Sequence, residues 1–326
     1  MRKTFQLVAT AVAAACFFGT ALAQDTFPSR PIKIIVPWGA GSGIDVQVRQ
    51  FADEFGKALK TPVIVENKVG AGSQIGYEVA TKAEPNGYTL LAGSNANFIH
   101  QQIHPRAKLD PVRDLAPITM MFWMPSVLVV SKNSPAKDIP SFVSWIQQSP
   151  QGMNYGSGGV GSASHLLAAM IGQRNQLNVT HIPLRTLTAD LGPMLTRGDI
   201  GFALPVTGVG AAQIDRGNVR PLAVTSSKRL PQWPDVPTLA EAFKDDIYLA
   251  DSWTALFAPK GTPPQILDKL YAAAVQAVES KAHLQSAKLF HTIPAASPSR
   301  AAFAKLFQAE GDKWRTIVTE SRMTPD

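Results

Sequence analysis

Three short stretches rich in glycine, serine and asparagine hold the residues best suited to bind a ligand. The first is Pro37-Trp38-Gly39-Ala40-Gly41-Ser42-Gly43-Ile44-Asp45, between a β-branched run and a segment of helical spacing. Glycines let the backbone approach a bound group, and a helix start offers unpaired N–H groups to an anion. Pro37, Trp38, Gly39, Gly41, Ser42, Gly43 and Asp45 are therefore candidate contacts. The second stretch, residues 157–162, repeats this pattern with Ser157, Gly158, Gly161 and Ser162, where Ser162 occupies an N-cap position. The third, Gly93-Ser94-Asn95-Ala96-Asn97, adds Ser94, Asn95 and Asn97 as hydrogen-bonding groups after a strand. Each could instead be an ordinary turn or cap. Three such loops at strand ends favour a shared site, because ligands of open α/β sheets bind outside the carboxyl ends of strands.

Catalytic and cofactor readings fit less well. A dinucleotide fingerprint needs its third glycine three residues after the second, whereas Gly39, Gly41 and Gly43 are evenly spaced. No serine has glycine at both positions two away, so there is no nucleophile elbow. His100 and His104 are four apart, but Gln101 stands where a zinc-protease motif requires glutamate, and the pair reads as a surface turn. Asp45, Asp110 and Asp114 serve equally as caps. Asp251-Ser252 with His165 or His181 stays open as a triad, since a triad is a matter of geometry. No cofactor or metal is expected.

Composition narrows the class. Arg2 and Lys3, the uncharged apolar residues 5–18 and Ala21-Leu22-Ala23 form a secretory signal over residues 1–23, too short to span a membrane. A lipoprotein-type site at Cys16 is the weaker alternative. Cleavage after Ala23 removes the only cysteine, which excludes thiol chemistry and disulfides from the mature chain. It also leaves 29 basic against 24 acidic residues, a net +5. These charges are scattered rather than arranged in a nucleic-acid stripe, and a mild positive excess suits anionic small molecules.

The elements that must position the loops alternate between short apolar runs and amphipathic segments, the pattern of α/β sheets covered by helices. Strands are expected at residues 32–36, 63–65, 89–92, 127–130, 153–155, 200–204, 222–224 and 254–258. Helices are expected after residue 43, across 142–146, around Leu166 to Ile171, and as two long segments beginning near Ile266 and Phe303. The last helices have no sheet of their own, so they should return to the first domain. The chain then crosses twice, near residues 121–125 and 250–253. This predicts lobe 1 from residues 24–124 and 252–326 and lobe 2 from residues 125–251, with a cleft between them.

Several ordered blocks resemble one family. They include Phe27-Pro28-Ser29-Arg30-Pro31-Ile32, Val65-Glu66-Asn67-Lys68 with Gly70-Ala71-Gly72, and Pro85-Asn86-Gly87-Tyr88-Thr89-Leu90. Asp110-Pro111-Val112-Arg113-Asp114-Leu115, Pro234-Asp235-Val236-Pro237-Thr238 and Ala258-Pro259-Lys260-Gly261-Thr262-Pro263 follow. The chain resembles the substrate-binding receptors of tripartite tricarboxylate transporters, the Bug family. That resemblance implies a type II-like two-lobed periplasmic binding fold, with two mixed sheets flanked by helices. It also implies a non-enzymatic, monomeric receptor for a small carboxylate, partnered by membrane permease subunits and not by nucleic acid. An extracytoplasmic enzyme or a ligand-sensing module on the same fold is the rival reading.

The family's ligand-contacting loops correspond to residues 37–45 and 157–162, and Trp253 matches its Ser-Trp segment. Departures from the family pattern fall in the cleft. Pro183-Leu184-Arg185-Thr186 stands where Pro-Tyr-Lys-Gly or Pro-Tyr-Arg-Gly is usual, which makes Arg185 and Thr186 candidates. Phe202-Ala203-Leu204-Pro205-Val206 replaces an acidic or polar stretch, which adds Pro205 and Val206. Losing the acid argues against an amino-acid ligand. Trp38, Leu184 and Val206 point instead to a carboxylate with an apolar or aromatic body.

Overall fold

In the computed structural model, residues 27–104, 109–184 and 186–323 are described. The strands are β1 (Ile32–Val36), β2 (Val63–Asn67), β3 (Thr89–Ser94), β4 (Leu115–Met124), β5 (Val127–Ser131) and β6 (Met153–Ser157). They continue as β7 (Val179–Pro183), β8 (Phe202–Ala203), β9 (Val219–Val224), β10 (Ser252–Pro259) and β11 (Ile293–Pro294). The helices are α1 (Gly43–Leu59), α2 (Gln74–Thr81), α3 (Ala96–Ile103), α4 (Pro111–Asp114), α5 (Ile139–Gln147) and α6 (Ala163–Arg174). After them come α7 (Leu187–Arg197), α8 (Thr207–Asp215), α9 (Leu239–Phe243), α10 (Pro264–Val278), α11 (Lys281–Leu289) and α12 (Arg300–Glu320).

Two mixed sheets result, ordered β11-β4-β10-β3-β1-β2 and β7-β6-β8-β5-β9. In the first, β1 runs parallel to β2 and β3, while β10 is antiparallel to β3 and β4. In the second, β6 is parallel to β7 and β8, and β5 is antiparallel to β8 and β9. Parallel pairs need helical crossovers, which is why nearly every strand end here leads into a helix start.

Packing follows the apolar stripes. Phe51 and Phe55 of α1 are fully buried against the first sheet, alongside Leu270 and Ala274 of α10. Burying each such phenylalanine contributes roughly 1.5–3 kcal/mol. On the opposite face Trp253, Phe98 and Phe307 form an aromatic cluster, with Phe98 and Phe307 centroids 4.8 Å apart. The last helix, α12, contacts β4 and α3 and also α6 beside the second sheet. Arg174 of α6 pairs with Glu320 at 2.6 Å and with Asp245, which reinforces that second contact.

Both connections between the sheets meet at Thr225. Its hydroxyl accepts from the Ser126 amide at 2.8 Å and donates to Asp251 at 2.5 Å. Nearby Glu310 accepts from the Trp253 indole at 2.8 Å and pairs with Lys313, whose ammonium donates to the Leu249 carbonyl at 2.8 Å. Burial pushes Asp251 up to about 6 despite the Thr225 bond and Lys313 nearby.

Three expectations need correction. The ten-residue β4 was not anticipated: Leu115–Met124 is buried on both faces except at two positions, so no alternation marks it. The strand expected over residues 200–204 shrinks to the two residues of β8, because Pro205 ends the ladder. His100 and His104 lie at the C-terminal end of α3 rather than in a surface turn, with ring centroids 4.4 Å apart.

Candidate functional site

A cavity of about 830 Å³ lies where the helix starts of both sheets converge. Ser42, Gly43 and Ile44 bring the start of α1, and Asn95 and Ala96 that of α3. Ser162 and Ala163 bring the start of α6, Val206, Thr207 and Gly208 that of α8, and Thr188 lies in the first turn of α7. Five helices of eight or more residues therefore point their N-termini at one space. Each end carries free N–H groups and about half a positive charge. Among the described residues that line the cavity, none is Asp, Glu, Lys, Arg or His. Trp38, Ile99, Met124, Val209, Leu289 and Phe290 supply apolar walls.

The first loop is held from behind. Gly41 adopts φ +80°, which glycine takes without strain, and its amide donates to Asp45 Oδ2 at 2.8 Å. Asn67 Nδ2 donates to Asp45 Oδ1 at 2.7 Å and to the Trp38 carbonyl at 2.9 Å, and Arg49 Nε reaches Asp45 at 3.0 Å. Burial alone would raise the Asp45 carboxyl. The bonds from Arg49, Asn67 and Gly41 outweigh it and hold the group below the usual carboxylate range. Ser42 caps α1 by accepting from the Asp45 amide at 3.3 Å.

The second loop rests on two histidines. His165 and His181 stack with centroids 3.8 Å apart. His181 Nε2 lies 2.6 Å from Ser157 Oγ, and the Gly161 amide donates to His165 Nδ1 at 3.1 Å. Burial, with His181 beside it, pushes His165 down to about 4, and burial lowers His181 as well. Both rings are thus neutral near pH 7. Ser162 caps α6 through the His165 amide and donates to the Gly159 carbonyl at 2.7 Å. In the third loop, Asn97 accepts from the Ser94 amide at 3.2 Å and Ser94 Oγ from the Ala96 amide at 3.1 Å.

Trp38, Ser42, Gly43, Ser94, Asn95, Gly161, Ser162 and Val206 thus come together on the wall. Asp45, Asn97 and Ser157 sit buried behind it as loop supports, and Pro37 is buried against Gly76. Gly39, Gly41 and Gly158 are exposed on the loops without lining the cavity. Thr186 is exposed, its amide bonded to Asp190 at 2.9 Å, and the Pro205 carbonyl accepts from the Val127 amide at 2.9 Å. Arg185 lies outside the described residues, as do the signal segment and Cys16.

Trp253 is corrected from ligand contact to core. Successive residues of a strand face opposite sides, so Ser252 lines the cavity while Trp253 points at α12. Leu184 likewise belongs to the second sheet's core. The triad does not assemble: Asp251 bonds Thr225, while the histidines bond Ser157 and Gly161. Sequence reasoning missed Gln47, Thr188, Thr207, Ser252 and residues 289–292. Gln47 stands one helical turn into α1, and Thr188 and Thr207 lie just after the named Thr186 and Val206. Ser252 precedes the named Trp253, and residues 289–292 follow no loop that was identified.

A second cavity, of about 1100 Å³, lies beside the Thr225 junction and is lined by charges of both signs, including Lys228, Lys288, Asp251 and Glu310. No helix of the described residues is long and apolar enough to cross a membrane.

Comparison with known proteins places this geometry. A UPF0065 protein from the tcbD-tcbE intergenic region of a Pseudomonas strain is 30% identical over 299 residues, covering 92% of this chain and 88% of that protein. Protein BugT of Bordetella pertussis is 31% identical over 270 residues, 81% of each chain. A TctC solute-binding protein from Polaromonas, solved without ligand, superposes with TM-score 0.77 at 28% identity over 90% of this chain and 99% of its own. MatC from Rhodopseudomonas palustris with bound malate superposes with TM-score 0.74 at 27% identity over 90% and 100%. Residues 47–323 match the tripartite tricarboxylate transporter family receptor (TctC), and the chain belongs to that family of periplasmic solute-binding receptors.

Proposed function

We propose that this chain captures a small organic carboxylate between two lobes, residues 24–124 with 252–326 and residues 125–251, and presents it to membrane permease subunits of a tripartite transporter. The convergence of five helix N-termini on a cavity whose described lining has no acidic side chain carries this reading. An anion there gains from each dipole about 0.3–1 kcal/mol, and about 1.5–3 kcal/mol per hydrogen bond once closure removes water. An ammonium group would meet five helix starts with no carboxylate among the described lining residues, since Asp45 and Asp190 accept the Gly41 and Thr186 amides behind the wall, so amino acids are disfavoured. Malate in the related MatC fits the same chemistry. On this reading the protein acts in the periplasm as a monomer after loss of residues 1–23, as a receptor rather than an enzyme.

A thermal-shift screen of the mature protein against mono- and dicarboxylates tests this. A ligand at 100 times its Kd should add about 2.7 kcal/mol of stability. Carboxylates that leave the melting temperature unchanged while an amine or a neutral sugar raises it would overturn the reading.

A further inference from the structure

Leu289, Phe290 and Thr292, in the turn over residues 289–292, form a wall of the cavity that no glycine-rich motif announces. They close α11 with a Schellman pattern, in which the Thr292 amide donates to the Ala287 carbonyl at 2.9 Å and the His291 amide to Lys288 at 3.3 Å. His291 takes φ +52° at the position where glycine is usual. A left-handed non-glycine residue persists only where its surroundings over-determine it, and here they do. Thr292 Oγ1 donates to Gln47 Oε1 at 2.7 Å, and a Cβ on Gly43 would lie 3.4 Å from the Phe290 ring, so one end is seated on α1. Thr207 Oγ1 donates to the His291 carbonyl at 2.6 Å, and a Cβ on Gly208 would come within 2.8 Å of the Phe290 carbonyl, so the other end is seated on α8. The turn thus bridges helix starts belonging to the two sheets. It presents Phe290 to the ligand cavity and Lys288 and His291 to the second cavity.

We propose that this turn is the specificity element of the cleft, with the Phe290 ring as the platform for the ligand's body, and that the ligand class is carboxylates with a flat or extended, uncharged, apolar body. This rests on the carboxylate-receptor reading above. An anion held at the helix starts projects its remainder into the rest of the cavity. There Phe290 and Leu289 share the wall with Trp38 and Met124, and no described lining residue is an acid that could pair with an ammonium. Aromatic surface in such a desolvated wall discriminates by body type, while the helix starts discriminate only by charge. Gly208 has a role of its own: a side chain there collides with backbone, so only glycine lets the turn seat on α8.

Calorimetry on the mature chain tests this with three probes: 3-phenylpropanoate, L-phenylalanine, which adds an ammonium to the same body, and malate, a polar-bodied carboxylate. 3-Phenylpropanoate should bind about tenfold or more tightly than either of the others. Phe290→Ala should weaken it by about tenfold while moving malate by less than about threefold. Gly208→Ala forces the turn off the start of α8 and displaces Phe290, so 3-phenylpropanoate affinity should fall by about tenfold and the unliganded melting temperature should fall with it. Phenylalanine or malate binding as tightly as 3-phenylpropanoate, equal losses for both carboxylates in Phe290→Ala, or unchanged affinity in Gly208→Ala would each overturn the assignment. If no carboxylate binds the wild-type chain, the receptor reading itself falls and this one with it.

Discussion

Ser162 shows how little a single hydroxyl can do in two roles. Its oxygen accepts from the His165 amide and its one proton goes to the Gly159 carbonyl at 2.7 Å, so it shapes the loop before any ligand arrives. Ser162→Ala should cost about 1 kcal/mol of unliganded stability through the lost cap, and roughly tenfold in carboxylate affinity as the amides of the loop lose their aim. Calorimetry beside a melting curve separates the two losses, and an affinity that does not move would leave Ser162 a cap alone. Asp251 makes a residue-scale prediction of opposite kind. Its folded value of about 6 exceeds the ordinary 3.8, so the folded state holds the proton longer than the unfolded chain. Its contribution therefore favours folding below about pH 4 and is lost as pH rises through about 6. Asp251→Asn can still accept from Thr225 without a buried charge. Denaturant unfolding should show the variant more stable at pH 7, by on the order of 2 kcal/mol, and equal to wild type near pH 4.

At the scale of elements, the site is a set of helix starts, and strands β1, β3 and β6 lead into three of them. Loop 157–162 rests on a pair of titratable imidazoles. His165 and His181 are both depressed, so they favour folding fully above pH 6.5, and that contribution is lost as pH falls toward about 4. A proton on His165 Nδ1 would face the Gly161 amide that now donates to it. Carboxylate affinity should therefore fall between pH 6.5 and 4 more steeply than ligand protonation explains, and His165→Gln should flatten that slope. An identical profile in the variant would remove the histidine pair from control of the loop. The same scale shows what was readable in the chain. Glycine and serine at strand ends marked the starts of α1, α3 and α6. Nothing comparable marked α8, which begins after Val206 with no side-chain cap, or the turn at His291.

For the whole molecule, the geometry suggests a hinge at the Thr225 junction and a brace in α12, which touches α6 as well as β4. Under the proposed two-lobe reading, closure bends the two crossings while sliding or keeping the α12–α6 contact. Small-angle scattering should show a smaller radius of gyration with saturating carboxylate than without. Arg174→Ala removes the pairs to Glu320 and Asp245 at the half-exposed edge of that contact. Such pairs are worth about 0–1 kcal/mol, so the variant should shift affinity by no more than about fivefold and leave the closed dimensions unchanged. A loss of closure on removing that arginine would make the brace the hinge itself.

The chain by itself determined what periodicity and local conformation can encode: an α/β alternation, the strands at residues 32–36 and 89–92, the helix after Gly43 and the N-cap at Ser162. Glycine, serine and β-branched residues act within a few positions, so their signal survives in one dimension. Only the tertiary structure decided which groups face the ligand space. Ser252 rather than Trp253 lines it, because a strand's two faces are told apart only by what packs on each. Asp45 and Ser157 retreat behind their loops, because Asn67 and His181 from neighbouring strands draw them inward. Phe290 enters from some 250 positions beyond Gly43, a meeting set by how α11 docks on α1 and invisible to any local rule.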